Sequence, residues 1–203
     1  MSLHASLVMV QADVRSEMRS VFEAFDYHPL GMEVVLAWKA ALEAIRYPRN
    51  SSPRTTVHKA VSSCNGWTVI LDPELVMAAD AAACSQLAAR FGAQVFAMIC
   101  EGTSCTYASS SYRAGVRRAF MTVDGEVAED DGQPIPEEAS IDLGKLFEDD
   151  VLRIMDRVGV SYSALASTGP FDIWALDESH LATPEPSGPP AQVGPSKPWW
   201  KVW

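Results

Sequence analysis

The sequence predicts an α+β fold, an antiparallel β-sheet meander covered by helices, with a flexible Pro-rich C-terminal tail. Three observations predict it. Residues 55–62 and 67–71 read as strands around Cys64-Asn65-Gly66-Trp67, and a third strand at 116–123 ends on Asp124-Gly125. Asn-Gly and Asp-Gly favour tight hairpins because the turn needs positive φ at its centre. Phe147, Val151, Ile154, Met155 and Val158 recur at helical spacing and mark an amphipathic helix. Pro184, Pro186, Pro189, Pro190, Pro195 and Pro198 crowd one stretch, which cannot build a packed core.

Taken in order, residues 5–10 form an apolar, strand-like run. Val14, Met18, Val21, Phe22 and Phe25 then follow Asp13 at helical spacing, with Asp13 as N-cap and the helix ending near Tyr27. His28-Pro29-Leu30-Gly31 reads as a turn, and residues 33–46 as a second helix whose start is unsettled by Val34-Val35. The stretch Pro48 to Pro53 is a loop by composition. After the Asn-Gly hairpin, Asp72-Pro73 opens a helix that runs through Leu87 and Phe91 to a stop at Gly92.

Val95 to Cys100 is apolar on both faces, as a central strand is. Residues 104–112 and 116–123 continue an antiparallel meander, because the links are too short for crossovers. Glu129 to Pro136 reads as a loop. Glu148, Asp149 and Asp150 open the amphipathic helix, where its dipole favours anions, and Gly159 stops it. Residues 171–176 form a last strand. The reading gives one α+β domain over residues 1–178 and a tail over 179–203 that ends in a Trp-rich segment.

Charge narrows the function classes. The chain of 203 residues carries a formal charge of −10. Residues 124–178 hold 15 acids against Lys145, Arg153 and Arg157, a net of −12, while the two flanks are each +1. An acidic field repels nucleic acid and anionic membrane and attracts basic partners. No apolar run approaches the roughly 20 residues that span a bilayer. The N-terminus lacks a basic start, so it reads poorly as a signal peptide and the expected location is the cytoplasm.

No catalytic, metal or phosphate-binding signature stands out, and no cofactor is expected. His4, His28, His58 and His180 are scattered, and Cys100 and Cys105 lack the second pair that a zinc site needs. Cys84 and Cys100 read as buried free thiols. Cys64 or Cys105 with His58 as base is the best nucleophile arrangement the chain offers. Arg113, Arg117 and Arg118 beside Tyr112 suit cross-strand ion pairs better than nucleic-acid contact. Glu129, Asp130, Asp131, Glu137 and Glu138 are expected to form an exposed partner-binding patch. Trp199, Trp200 and Trp203 are expected to dock on a protein surface, since tryptophan is a frequent interface anchor.

The order Gly66-Trp67-Thr68-Val69-Ile70, an Ala-rich helix, strands bearing Tyr112-x-x-Gly115-x-x-Arg118, then Gly132-x-Pro134-x-Pro136-Glu137-Glu138, covers residues 64–178. It resembles small bacterial immunity proteins encoded beside polymorphic or secreted toxins, and related uncharacterised bacterial families. The resemblance implies a non-enzymatic cytoplasmic protein that binds a cognate toxin and blocks it. A segment of net −12 would suit a basic toxin or effector. Two alternatives stand beside this: a small cysteine-dependent hydrolase or transferase, and a chaperone or adaptor for a secreted protein. The sequence leaves homo-oligomer formation open.

Overall fold

The computed structural model describes residues 4–46 and 55–179. Strand β1 (His4–Val10) shows how the layers are set. Leu7 and Met9 point to one side, Val8 and Val10 to the other, and all four are buried. A strand apolar on both faces must be covered on both faces. It lies in the middle of a nine-stranded sheet, between β4 (Trp67–Leu71) and β5 (Val95–Glu101). The full order is β2-β9-β3-β4-β1-β5-β6-β7-β8, and every pairing is antiparallel.

Helices α2 (Trp38–Arg46), α5 (Glu148–Val158) and α6 (Tyr162–Ser167) close one core. Helices α1 (Met18–Glu23), α3 (Val76–Ala79) and α4 (Ala81–Phe91) close the other. The α+β class is therefore as the sequence predicts, with helices on both faces of the sheet.

The hairpins follow the turn chemistry. In β3 (Thr56–Cys64) and β4, Cys64 pairs with Trp67, and Asn65 and Gly66 have φ of 51° and 81°. Asp124 and Gly125, at 52° and 80°, join β7 (Val116–Val123) to β8 (Glu126–Asp131). With β6 (Thr106–Arg113), strands β5 to β8 make the expected meander. Gly92 and Gly159 terminate α4 and α5 with left-handed backbones. Asp150 reaches back to accept from the Phe147 N–H at 3.4 Å.

Several expectations need correction. His28-Pro29-Leu30-Gly31 is not a turn but the start of β2 (His28–Leu36), an edge strand paired with β9 (Phe171–Asp177). Among the described residues β2 ends the sheet, and an edge strand tolerates a proline because its outer side has no ladder hydrogen bond to lose. The second helix therefore starts at Trp38, and the β-branched Val34-Val35 lie in the strand. The first helix is short and opens with a 3-10 turn at Arg15–Glu17, though Val14, Met18, Val21, Phe22 and Phe25 are all buried as expected. The helix expected from Asp72-Pro73 is broken in two. Asp80 is the cap of α4, its Oδ1 accepting from Ala83 N at 2.9 Å. The acidic stretch from Glu129 is strand as far as Asp131 rather than loop, and α6 was not foreseen. The Pro48 to Pro53 loop and the Pro-rich tail lie outside the described residues.

Candidate functional site

The acidic edge is built by strand alternation. On β8, Glu129 and Asp131 project to one face and Asp130 to the other. Neighbouring β7 offers Arg117 and Arg118, which alternate in the same way. Arg117 pairs with Glu129 and Asp131, each at 2.5 Å. Burial works against the Arg117 charge, but its hydrogen bonds, first of all to Glu129, more than restore it and raise its pKa.

Arg118 passes to the other face and is 3% exposed. Its Nε lies 3.0 Å from both oxygens of Glu138, itself 2% exposed, and another nitrogen reaches Asp130 at 2.5 Å. The same nitrogen donates to the carbonyls of Asp131 and Gly132 at 3.2 Å. Gly132 makes this possible. Its φ is +80°, and a Cβ there would meet the Arg117 carbonyl oxygen at 2.1 Å. Cross-strand ion pairs are thus the role of Arg117 and Arg118.

The predicted patch divides accordingly. Asp130 and Asp131 are exposed, Glu129 and Glu137 half-buried, and Glu138 buried. Glu138 is a correction to the expectation of exposure, and its physical reason is the Arg118 guanidinium that it neutralises. Trp199, Trp200 and Trp203 lie outside the described residues.

The nucleophile arrangement is not brought together. His58 and Cys64 share β3, so six residues at about 3.3 Å each hold them about 20 Å apart. Cys105 precedes β6, four strands from β3, about 19 Å at 4.8 Å per strand. His58 is buried and faces a carboxylate instead, Nε2 lying 3.3 Å from Glu33. Its Nδ1 has no partner among the described residues. Cys64, Cys84 and Cys100 are buried and Cys105 is exposed. Burial pushes the Cys100 thiol up to about 12, and those of Cys64 and Cys84 also upward.

A buried charge cluster was missed by sequence reasoning. Lys59, wholly buried in β3, pairs with the equally buried Asp72 and with Glu74. Its ammonium also lies 5.1 Å from the centre of the Tyr27 ring. Burial disfavours the Lys59 charge, yet Asp72 and Glu74 outweigh it and raise its pKa. Burial likewise raises Glu74, against the pull of Lys59, and pushes Tyr27 up to about 12. A signal was present. The Asn-Gly hairpin fixes Cys64 opposite Trp67 and Ala60 opposite Leu71, and one more step sets Lys59 opposite Asp72.

Asp72 also holds the link between β4 and α3. Its Oδ2 accepts from Met77 N at 2.7 Å, and its own N–H donates to Ser6 O at 2.9 Å. Leu75 is thereby kept at φ +64°, which only a well-determined surrounding sustains in a non-glycine residue. This link walls a groove of about 850 Å³ between α3, the start of α4 and the ends of β5 and β6. Leu75, Val76, Ala79 and Ile99 give it an apolar lining. At its mouth His4 pairs with Glu101 and lies 3.0 Å from the Pro73 carbonyl oxygen, while Glu101 Oε1 accepts from Thr103 N at 2.8 Å. Among the described residues no cluster of histidine, cysteine and carboxylate could hold a metal, and no helix is long and apolar enough to cross a membrane.

No family model matches the chain, and no curated protein and no solved structure matches it.

Proposed function

We propose that this protein acts by binding another protein rather than by catalysis, as an immunity protein that neutralises a cognate bacterial toxin in the cytoplasm. The observation that carries the reading is the open edge of the sheet at β8. Among the described residues this strand has a neighbour on one side only, and along it stand Glu126, Glu129, Asp130 and Asp131. An edge strand presents unpaired backbone donors and acceptors, and charge is a common guard against unwanted pairing. The same charge admits a basic partner, which gains both main-chain hydrogen bonds and electrostatic complementarity. The two arginines of β7 offset only part of it. Two guanidinium groups face four carboxylates: Glu129, Asp130, Asp131 and Glu138.

The test begins with the product of the neighbouring open reading frame, co-produced with this chain and measured for binding kinetics. Asp130→Lys and Asp131→Lys together should lower the association rate about tenfold at low salt and flatten its salt dependence. They should also remove protection of cells that express the toxin. An unchanged rate and an unchanged salt slope would overturn the proposal, as would a neighbour that neither binds nor harms the cell.

A further inference from the structure

The groove beside α3 lies on the opposite side of the sheet from the Arg118–Glu138 pair, and nothing in the partner-binding reading uses it. Its volume of about 850 Å³ is within the range that holds a small organic ligand. Its walls are set in advance. The buried Lys59–Asp72 pair fixes the link from below, and Leu75 is kept in its left-handed conformation beside the opening. The lining combines an apolar floor with charge of one sign. Glu74, Asp80 and Glu101 all border the groove. Counting Asp72 beneath it, four carboxylates face two basic groups, Lys59 and His4, each already engaged by a carboxylate. Glu74 is the carboxylate best placed to meet a ligand. One oxygen holds Lys59, and the side chain is still 32% exposed.

We propose that this groove is a binding site for a small amphipathic cation, an amine carried on an apolar body. The apolar portion lies against Leu75, Val76, Ala79 and Ile99, and the ammonium is directed to Glu74. The carboxylate excess disfavours an anion of the same shape, and a neutral analogue loses the charge-assisted hydrogen bond. The assignment is independent of any protein partner at β8.

The experiment titrates the full chain at pH 7 with n-decylamine, n-decanol and decanoate, each below its micelle-forming concentration. Calorimetry gives affinity, and amide chemical shifts give location. The amine should bind about tenfold more tightly than the alcohol, the loss expected for one charge-assisted contact, and decanoate should bind least. Ala79→Phe, at an exposed position on the groove wall, should fill the site and weaken amine binding at least about tenfold. Glu74→Gln should bring the amine and the alcohol to within about threefold of each other. Circular dichroism confirms that each variant is folded. Should none of the three probes bind, should decanoate match the amine, or should Ala79→Phe leave affinity and shifts unchanged, the proposal fails. These outcomes leave the β8 reading untouched, since its variants and its readout are separate.

Discussion

Arg118 and Glu138 form an ion pair from which water is almost wholly excluded, the guanidinium Nε lying 3.0 Å from both carboxylate oxygens. Truncating one member leaves a buried charge without compensation, so Arg118→Met should cost about 3–5 kcal/mol in urea unfolding. Arg118→Met with Glu138→Leu should cost less than Arg118→Met alone, because no charge is stranded. A double variant no more stable than that single one would show that the pair is not the dominant interaction.

Gly132→Ala should be destabilising by at least about 1–3 kcal/mol, since a positive φ and a backbone clash act together. The added Cβ would have to displace the Arg117 carbonyl and with it the carbonyls that Arg118 holds. Thermal unfolding measures the effect, and a variant as stable as the parent would mean that the β7–β8 end adjusts freely.

Lys59→Met removes the cation and keeps most of the volume. It leaves Asp72 and Glu74 facing each other with no cation between them, and should cost about 3–5 kcal/mol. Adding Asp72→Asn to Lys59→Met should recover part of this loss, because an amide oxygen can still accept from Met77 N. No recovery would mean that the charge of Asp72 is not what the loss reports.

Alkaline pH should weaken the fold through the same cluster. Tyr27 is raised from its ordinary 10.0 to about 12 by burial. Lys59 is also raised: burial lowers it, but Asp72 and Glu74 prevail. In both, the folded state holds the proton more tightly than the unfolded chain. The Tyr27 contribution is therefore complete well below its ordinary 10.0 and is lost as pH climbs through 12, while that of Lys59 starts to fall only above its ordinary 10.5. Denaturant midpoints at pH 8, 10 and 11.5 should fall in that order, and absorbance near 295 nm should show a tyrosine titrating well after its exposed counterparts. A midpoint constant to pH 11.5 would contradict this.

Thiol chemistry should separate Cys105 from the other three cysteines. Only Cys105 is exposed. A chromogenic disulfide reagent at pH 8 should label one thiol quickly in the native protein and the rest only on unfolding, as burial raises the pKa of Cys64, Cys84 and Cys100. Fast native labelling of a second cysteine would show that one of the cores opens readily.

The sequence made local structure legible and long-range pairing less so. The Asn65-Gly66 and Asp124-Gly125 turns, the glycine stops and α5 were all readable, because each depends on neighbours within a few positions. β2 was misread because Pro29 and Gly31 look like a turn, and only its edge position and its pairing with β9 explain them as strand. β8 was partly misread because carboxylates disfavour strands in general, while an edge tolerates them. In the acidic site, composition located the carboxylates and suggested cross-strand ion pairs. It could not show that Glu138 is turned inward, since a count of charges does not assign partners. Lys59 and Asp72 were the recoverable omission, because the hairpin register already aligns them.

The position of β9 has a consequence for how the chain reaches its fold. β9 lies between β2 and β3, so Val61 and Asp172 are neighbours although most of the chain separates them. Contacts of such high sequence separation make folding slow, because loop closure must precede the gain from pairing. During synthesis β2 and β3 emerge long before their common partner and present two vacant flanks. Premature termination ahead of residue 171 would leave them so, and the shortened product should associate through those flanks rather than remain monomeric.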